Sequence, residues 1–357
     1  MPNHHYGLIL AGGRGTRFWP RSRRSHAKQV LRFFGERSLI QQTVDRLRPV
    51  LPPDRVWILT NDHLRAEIVK QLPEVPKTQI LAEPAQRNTA PAIGLAARIL
   101  DSIDPKAVMG VFPADQVIEN PREYVRLLKP AFKAAGEGKI VVLGIKPRWA
   151  ETGYGYIEFP AGIAAGRDPV EVRSFREKPD ASTAERFFDS GNFYWNAGMF
   201  FWRASVLRDA LREFLPKTAT LLASIPEFGS RQFAAKLAAA FPKCENISID
   251  YAVLERAKKV VGIPAGDIGW NDVGSWNAVY ELQKRDADGN AARATTLIEL
   301  SSGNYVDAEK KLVALLGVKD LIVVDTPDAL LIADRSRAQQ VGELVKRLEQ
   351  SGREDLL

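Results

Sequence analysis

Three glycines and a series of cations follow the first apolar run of the sequence, in LILAGGRGTRFWPRSRRSHAK. Because Gly12, Gly13 and Gly15 have no side chains, their backbone N–H groups can approach phosphate oxygens directly. Arg14 and Arg17 can add charge-assisted hydrogen bonds. The pattern predicts a phosphate-binding loop, and a tight turn that uses glycine for its backbone freedom is the alternative.

Two common phosphate-binding motifs do not match this loop. A P-loop needs Gly-Lys-Ser/Thr after four intervening residues, and that tripeptide is absent. A dinucleotide fingerprint needs a third glycine where Phe18 stands. The cations that continue through Arg21, Arg23, Arg24 and Lys28 lie beside the glycines, which favours a small phosphorylated ligand over a nucleic acid.

Two aspartates are candidate metal ligands. VMGVFPAD is an apolar strand pattern that ends at Asp115, and GWNDVGSW places Asp272 among aromatic residues. Two carboxylates beside a triphosphate would repel it unless a divalent cation, typically Mg²⁺, separates them. Aspartates also cap helices and form turns, and for Asp272 taken alone that alternative is favoured.

Other polar residues could bind a sugar phosphate. In FREKP, Lys178 can neutralise a phosphate and Glu177 can accept hydrogen bonds from sugar hydroxyls, although a solvated pair is the simpler interpretation. Asn196 lies among aromatics in NFYWNAGMF and must find partners in the backbone or in a ligand. In IDYAVLERA, Asp250 is predicted to cap a helix.

The elements that must position these residues alternate between strand and helix patterns up to Lys146. This predicts an α/β fold with a Rossmann-like mixed, mostly parallel sheet flanked by helices. Aromatic, alternating segments then predict antiparallel strands. The polar KRDADGNAARA predicts a boundary between a catalytic domain at 1–288 and a small β-helix-like extension at 289–357 that ends in a helix.

Composition limits the class of protein. The 357 residues are 45% hydrophobic and 26% charged, with a net charge of +7 and one cysteine, Cys244. A single cysteine excludes an intramolecular disulfide and fits a reducing compartment. No segment has the layout of a signal peptide or the length of a membrane span. These features predict a cytoplasmic protein without a membrane or nucleic-acid partner.

A longer pattern adds a family resemblance that covers nearly the whole chain. LAGGRGTRFWPRSRRSHAKQ closely resembles the signature of the sugar-phosphate nucleotidyltransferases, and FWPRSR…KQ is similar to their mannose-1-phosphate guanylyltransferase branch. EPAQRNTAP, FPAD, GYGYIE, EKP, NAG and WNDVGSW resemble further family segments in the expected order. The chain departs at Ala27, where proline is usual, and at Gln116, where histidine is usual.

The resemblance implies transfer of GMP from GTP to mannose 1-phosphate, giving GDP-mannose and pyrophosphate by direct Mg²⁺-assisted attack. The implied catalytic residues are Arg14, Lys28, Asp115, Lys178 and Asp272, and Asp115 and Asp272 are the implied metal ligands. The implied nucleotide-binding residues are Leu10, Ala11, Gly12, Gly13, Gly15, Thr16, Arg17, Glu83, Asn88 and Thr89. The implied sugar-phosphate residues are Gly153, Glu177, Lys178 and Asn196.

Two alternatives to this function stay open. The chain could use another nucleoside triphosphate or hexose 1-phosphate, such as glucose 1-phosphate, or it could be a non-catalytic regulator that binds nucleotide sugars. Some relatives carry a fused isomerase domain, and the length of this chain predicts a protein without one. The family's extension often packs between subunits, which is compatible with a homodimer.

Overall fold

The computed structural model describes residues 4–357. The strands are β1 His5–Leu10, β2 Val56–Thr60, β3 Ile80–Ala82, β4 Val108–Pro113, β5 Val117–Ile118, β6 Ile140–Ile145, β7 Tyr156–Glu158, β8 Val170–Glu171, β9 Ser174–Arg176, β10 Phe193–Arg203, β11 Val260–Ala265, β12 Trp270–Asn271, β13 Ala291–Glu299, β14 Tyr305–Leu316, β15 Leu321–Asp325 and β16 Leu330–Asp334. The helices are α1 Leu39–Leu47, α2 Asp62–Gln71, α3 Thr89–Ile103, α4 Pro121–Gly136, α5 Ala181–Ser190, α6 Ala204–Phe214, α7 Pro216–Ala223, α8 Phe233–Ala240, α9 Trp276–Leu282 and α10 Val341–Gln350.

Helix starts follow local capping chemistry. The Ser38 side chain accepts a hydrogen bond from the Gln41 N–H ahead of α1, and the Gln41 side chain accepts one from the Ser38 N–H, which forms a capping box. The Asn120 side chain caps α4, whose first residue is Pro121. These caps set where each helix begins and therefore how long the preceding loop is.

Within residues 4–357, ten strands form one sheet with the central order β3-β2-β1-β4-β10-β6-β11-β8. β1 is parallel to β2 and β4, whereas β10 runs antiparallel to both β4 and β6. Leu8 and Ile9, both fully buried, belong to two different core clusters because successive side chains of a strand point to opposite faces. The predicted mostly parallel sheet with helices on both faces is confirmed.

The carboxyl ends of the parallel strands bring the predicted ligand-binding segments to one edge. Leu10 is in register with both Leu59 and Pro113, so β1, β2 and β4 end side by side. The glycine loop follows β1, and Asp115 follows β4 by two residues. Ligands bind at this edge in open α/β sheets.

The C-terminal extension is a short coil of strands, as predicted. β13, β14 and β15 are parallel and β16 returns antiparallel, forming a four-stranded sheet. The buried side chains of Asn290 and Asn304 are hydrogen-bonded to each other and stack successive turns of this coil. Tyr305 and Val341 share a core cluster with Phe18, so the extension packs directly on the segment that follows the glycine loop.

Candidate active site

The glycine loop joins β1 to the rest of the site, and its glycines have different reasons for being there. Gly15 has a φ of 61°, and a Cβ there would lie 2.6 Å from the Lys28 Cβ, so both conformation and packing exclude a side chain. At Gly13 a Cβ would meet nothing within 4 Å. Gly15 therefore shapes the loop, whereas Gly13 leaves its backbone open to a ligand.

A cavity of about 840 Å³ opens above this loop. Every residue that the resemblance implies for nucleotide binding lies on its wall: Leu10, Ala11, Gly12, Gly13, Gly15, Thr16, Arg17, Glu83, Asn88 and Thr89. Arg14 and Asp115 also line the cavity. Sequence reasoning missed Gln86, Arg87 and Asn246, together with four residues of α10, namely Gly342, Val345, Lys346 and Glu349.

The arginines of the loop segment form a series of contacts with the C-terminal extension, here called the seam. The pairs are Arg14 with Glu349, Arg17 with Gln339, Arg21 with Asp307 and Glu309, Arg23 with Asp328, and Arg24 with Glu354. This corrects the expectation that the cation series as a whole faces a phosphorylated ligand. Most of it joins the extension to the loop, while Arg14 and Arg17 both line the cavity and take part in the seam.

Lys28 contacts both residues predicted as metal ligands, Asp115 through its carboxylate and Asp272 through its backbone carbonyl. Its Nζ donates to Asp115 Oδ2 at 3.0 Å and to the Asp272 carbonyl oxygen at 2.5 Å, and its side chain is only 8% exposed. The Asp272 Oδ1 accepts a hydrogen bond from the Tyr154 hydroxyl at 2.5 Å. Burial is the main cause that raises the pKa of Tyr154, and the Asp272 charge raises it further, so this hydroxyl stays protonated as a donor.

The acidic pair fits a magnesium ion by its donor chemistry. Carboxylate oxygens are the hard ligands that Mg²⁺ prefers, and Mg²⁺ usually takes one or two carboxylates and completes its shell with water and substrate phosphates. Within residues 4–357 no three His, Cys, Asp or Glu side chains cluster as a metal cage. Asp115 and Asp272 therefore suit an ion that arrives with a phosphorylated substrate rather than an ion held by the protein alone.

A second group of polar side chains lies around Asn196 of β10. Lys178 Nζ donates to Glu177 Oε1 at 2.7 Å, whereas Glu177 Oε2 is buried and lacks a hydrogen-bond partner. Burial alone would lower the pKa of Lys178, but the bond to Glu177 raises it above its ordinary value. A buried carboxylate oxygen without a partner is costly, and a ligand hydroxyl could satisfy it.

Asn196 and Asp250 complete this group. Asn196 Nδ2 donates to Asp250 Oδ1 at 2.9 Å, and Asn196 Oδ1 accepts from the Gly198 N–H at 3.0 Å. Burial, followed by the Glu177 charge, raises the pKa of Asp250 to about 6. The prediction that Asp250 caps a helix is wrong, because Asp250 is the first residue of a π-helical turn and its carboxylate bonds Asn196 instead.

Of the two glycines in GYGYIE, the structure brings the second to the sugar-phosphate residues. The Gly155 carbonyl accepts from the Asn196 N–H at 2.7 Å, and a Cβ at Gly155 would overlap Glu177 Oε2. Gly153 instead donates its N–H to Glu151 Oε1 in an exposed loop. Gly155 is therefore a further candidate for the sugar-phosphate site, and Gly153 stays a prediction. Both glycines fit the sequence motif, but only Gly155 contacts Asn196 and approaches Glu177.

Gln116, at the position where the family resemblance led us to expect histidine, is part of the framework. Its Nε2 donates to the Ala197 carbonyl at 2.9 Å and its Oε1 accepts from Trp270 Nε1 at 3.0 Å. These bonds connect the Asp115 loop to β10 and β12, and Gln116 is 7% exposed. The amide therefore holds the two acidic segments together without facing the cavity.

The polar residues at the far end of the cavity are partly used by the fold. Asn88 caps α3 through the Thr89 N–H, and the Thr89 Oγ1 accepts from the Ile249 N–H, both at 2.9 Å. Glu83 follows β3, and burial raises its pKa to about 8. In its ionised form this carboxyl group could accept two hydrogen bonds from a ligand, which would then have to displace the proton that burial favours.

Glu83 makes the stability of the protein depend on pH. Its native pKa of about 8 exceeds the ordinary value of 4.5, so between these values the native state holds a proton that the unfolded chain has lost. The free energy of unfolding therefore falls as the pH rises from about 4.5 to about 8. Glu83→Gln should remove this pH dependence. Relative to the wild type, the free energy of unfolding of the variant should be no higher near pH 4, increasingly higher as the pH rises through the window, and higher by a constant amount above pH 8. Urea unfolding at pH 4, 6 and 8.5 checks this; a gain independent of pH would contradict it.

Comparisons with known proteins agree with this geometry. Residues 6–289 match the family model described as nucleotidyl transferase, and residues 297–348 match the mannoseP isomerase/GMP-like beta-helix domain. No helix within residues 4–357 has both the length and the apolar character needed to cross a bilayer.

The chain is also similar to individual relatives. It is 40% identical over 352 residues to xanthan biosynthesis protein XanB of Xanthomonas campestris pv. campestris (strain ATCC 33913), covering 98% of this chain and 74% of that protein. It is 38% identical over 361 residues to mannose-1-phosphate guanylyltransferase of Escherichia coli K12, with the same coverage. A crystal structure described as mannose-1-phosphate geranyltransferase from Thermus thermophilus aligns with a TM-score of 0.86 and 32% identity, over 97% of this chain and 100% of that one. The chain belongs to the nucleotidyl transferase family, in the group that contains these mannose-1-phosphate guanylyltransferases.

Proposed function

We propose that the protein transfers GMP from GTP to mannose 1-phosphate, releasing pyrophosphate. The observation that carries this proposal is that the glycine loop and Asp115 line a cavity large enough for a nucleotide, while Lys28 bonds both Asp115 and the backbone carbonyl of Asp272. The choice of GTP and mannose 1-phosphate is supported by the names of the relatives that share nearly the whole chain.

The proposed reaction is a direct displacement. An oxygen of the mannose 1-phosphate attacks the α-phosphorus of GTP, the bond from that phosphorus to the bridging oxygen breaks, and pyrophosphate leaves with the electron pair. No side chain has to act as a nucleophile, so the residues contribute positioning and electrostatic stabilisation. Magnesium, when held by Asp115 and Asp272, would offset negative charge on the reacting phosphates.

Different residues of the site would have different roles in this reaction. The open backbone at Gly13, together with Arg14 and Lys28, would bind the triphosphate and the departing pyrophosphate. Lys178, which is paired with Glu177, would orient the incoming phosphate. The Glu177 Oε2 that lacks a partner would accept a hydrogen bond from a sugar hydroxyl. Glu83, Asn88 and Thr89 would line the nucleobase end, where Glu83, once it loses its proton on binding, could accept two hydrogen bonds from the edge of guanine.

A substrate matrix tests the proposal. Pyrophosphate release is measured for GTP, ATP, UTP and dTTP, each with mannose 1-phosphate and with glucose 1-phosphate. We expect GTP with mannose 1-phosphate to give the highest kcat/KM. A different best pair would show a nucleotidyltransferase of other specificity, and tight GDP-mannose binding without any pyrophosphate release would show a regulator.

The contact at Gly155 gives a sharper test of the sugar-phosphate side. Gly155→Ala would push a methyl group into Glu177 Oε2 and within 3.3 Å of the Asn196 Cβ. Because small displacements of positioning groups are costly, we expect the KM for mannose 1-phosphate to rise about tenfold or more while the KM for GTP changes little. Gly153→Ala is the matched control, since its new methyl group meets only the end of the Glu151 side chain. Equal effects of the two variants in steady-state kinetics would contradict the assignment.

We also propose that the protein works in the cytoplasm as a homodimer. The extension carries large apolar side chains that are more than half exposed: Leu297, Leu300, Leu312, Leu316, Leu330 and Ile332. Exposed apolar patches of this kind often mark protein interfaces. Light scattering of the purified protein would give the subunit number, and a monomer at micromolar concentration would contradict the dimer.

A further inference from the structure

The last long helix of the extension, α10, forms one wall of the nucleotide cavity. Gly342, Val345, Lys346 and Glu349 line that cavity together with the glycine loop. A Cβ at Gly342 would lie 3.5 Å from Thr16 Oγ1, so the helix backbone packs closely on the loop.

The position of this wall is set by a buried contact. Val341 and Val345 are 2% and 5% exposed and share a core cluster with Phe18, which follows the glycine loop. The Trp19 Nε1 donates to the Leu356 carbonyl at 3.0 Å beyond the end of the helix. Residues on the exposed face of α10 are therefore held at the edge of the cavity.

Glu349 of α10 forms an ion pair with Arg14. The Arg14 guanidinium donates to Glu349 Oε1, and the two side chains are 41% and 31% exposed. The Arg14 hydrogen bond, followed by its charge, lowers the pKa of Glu349, so this carboxylate is ionised at neutral pH. Arg14 is also the glycine-loop cation that the proposed function assigns to the triphosphate.

We infer that Glu349 lowers the affinity for the triphosphate. In the nucleotide-free protein Glu349 is paired with Arg14, and when the nucleotide binds, phosphate oxygens replace Glu349 as the partner of Arg14. The inference rests on the proposed function for the role of Arg14. An arginine cannot give the same N–H groups fully to a carboxylate and to a phosphate, and the carboxylate charge also repels the phosphates. Both effects weaken binding of the triphosphate and speed the departure of pyrophosphate.

The affinities for the two products should respond differently to the loss of the Glu349 charge. Pyrophosphate carries the phosphates assigned to Arg14, whereas GDP-mannose lacks them. Removing the Glu349 charge should therefore strengthen binding of GTP and pyrophosphate and leave that of GDP-mannose unchanged. A merely structural role of the ion pair would change all three affinities together.

Calorimetric titration of the full chain with Glu349→Gln tests this, using GTP, pyrophosphate and GDP-mannose, each with Mg²⁺. We expect Kd to fall roughly two- to tenfold for GTP and pyrophosphate, because exposed ion pairs have modest free energies, and to stay the same for GDP-mannose. The difference should shrink at high ionic strength. Glu354→Gln is the matched control: it removes the Arg24 pair from the same seam at a carboxylate that does not line the cavity, and it should leave all affinities unchanged.

Several outcomes would overturn the inference. These are an unchanged or higher Kd for GTP and pyrophosphate in Glu349→Gln, equal tightening in Glu354→Gln, or a wild-type protein that binds neither ligand. The titration does not depend on turnover. If the wild type binds GTP but releases no pyrophosphate with any sugar phosphate, the proposed function fails while the role of Glu349 is still measured.

Discussion

Replacing Asp272 with asparagine is expected to lower kcat by at least about 10²-fold while leaving the fold intact, since the loss of one electrostatic stabiliser in an active site has this size. Asparagine keeps an oxygen that can accept the Tyr154 hydrogen bond, so the loop should keep its conformation. The substitution removes the negative charge of Asp272, which the proposed mechanism needs to hold a divalent ion together with Asp115. Pyrophosphate release measured over a range of magnesium concentrations, with circular dichroism for the fold, checks this expectation.

Asp267 provides the control for this variant. It precedes the same loop, is exposed, and its carboxylate accepts only the Gly269 N–H among the described hydrogen bonds. Asp267→Asn should retain near-normal turnover. If Asp272→Asn also turned over normally at ordinary magnesium concentrations, Asp272 would have to be removed from the mechanism.

Lys28→Met should lower kcat/KM by about 10²- to 10³-fold. The lysine ammonium is nearly buried between Asp115 Oδ2 and the Asp272 carbonyl, so methionine fills the space but removes the cation that both oxygens face. Lys28→Arg should not restore activity, because the planar guanidinium is larger and the Lys28 Cβ already packs against Gly15. Steady-state pyrophosphate release gives the rates.

The matched control is a cation of the same segment that makes no hydrogen bond or ion pair to Asp115 or Asp272 among the described residues. Arg23 donates to Asp328 in the seam and does not line the cavity wall. Arg23→Gln should therefore keep kcat/KM within a few-fold of the wild type, as expected for the loss of an exposed ion pair. A comparable loss of activity in both variants would mean that the Lys28 effect reports general damage to the segment.

The parts of the site that follow local rules could be predicted from the sequence. Strand patterns that end in GGRG and in PAD place the glycine loop and Asp115 at one sheet edge, because parallel strands share that edge. Asn88 and Asn120 cap the helices that their side-chain chemistry indicates. In each case the information lies within a few residues of the feature.

The parts that could not be predicted depend on contacts between distant segments. Arg14 and Glu349 are separated by 335 positions, and no local pattern says that an arginine beside glycines will pair with the last long helix. Gly153 and Gly155 differ only in which of them meets Glu177. Asp250 has the residue type of a helix cap, yet its partner is Asn196, which lies 54 positions earlier.

The seam between the loop arginines and the extension also bears on how the protein is made. Residues 14–24 leave the ribosome early, but their partners lie between 307 and 354, so these side chains lack their native contacts for most of translation. Protein segments generally begin to fold in the order of their synthesis. The nucleotide cavity is therefore completed late, and a nascent chain that still lacks the extension should leave the apolar cluster around Phe18 and Trp276 partly uncovered and open to chaperones.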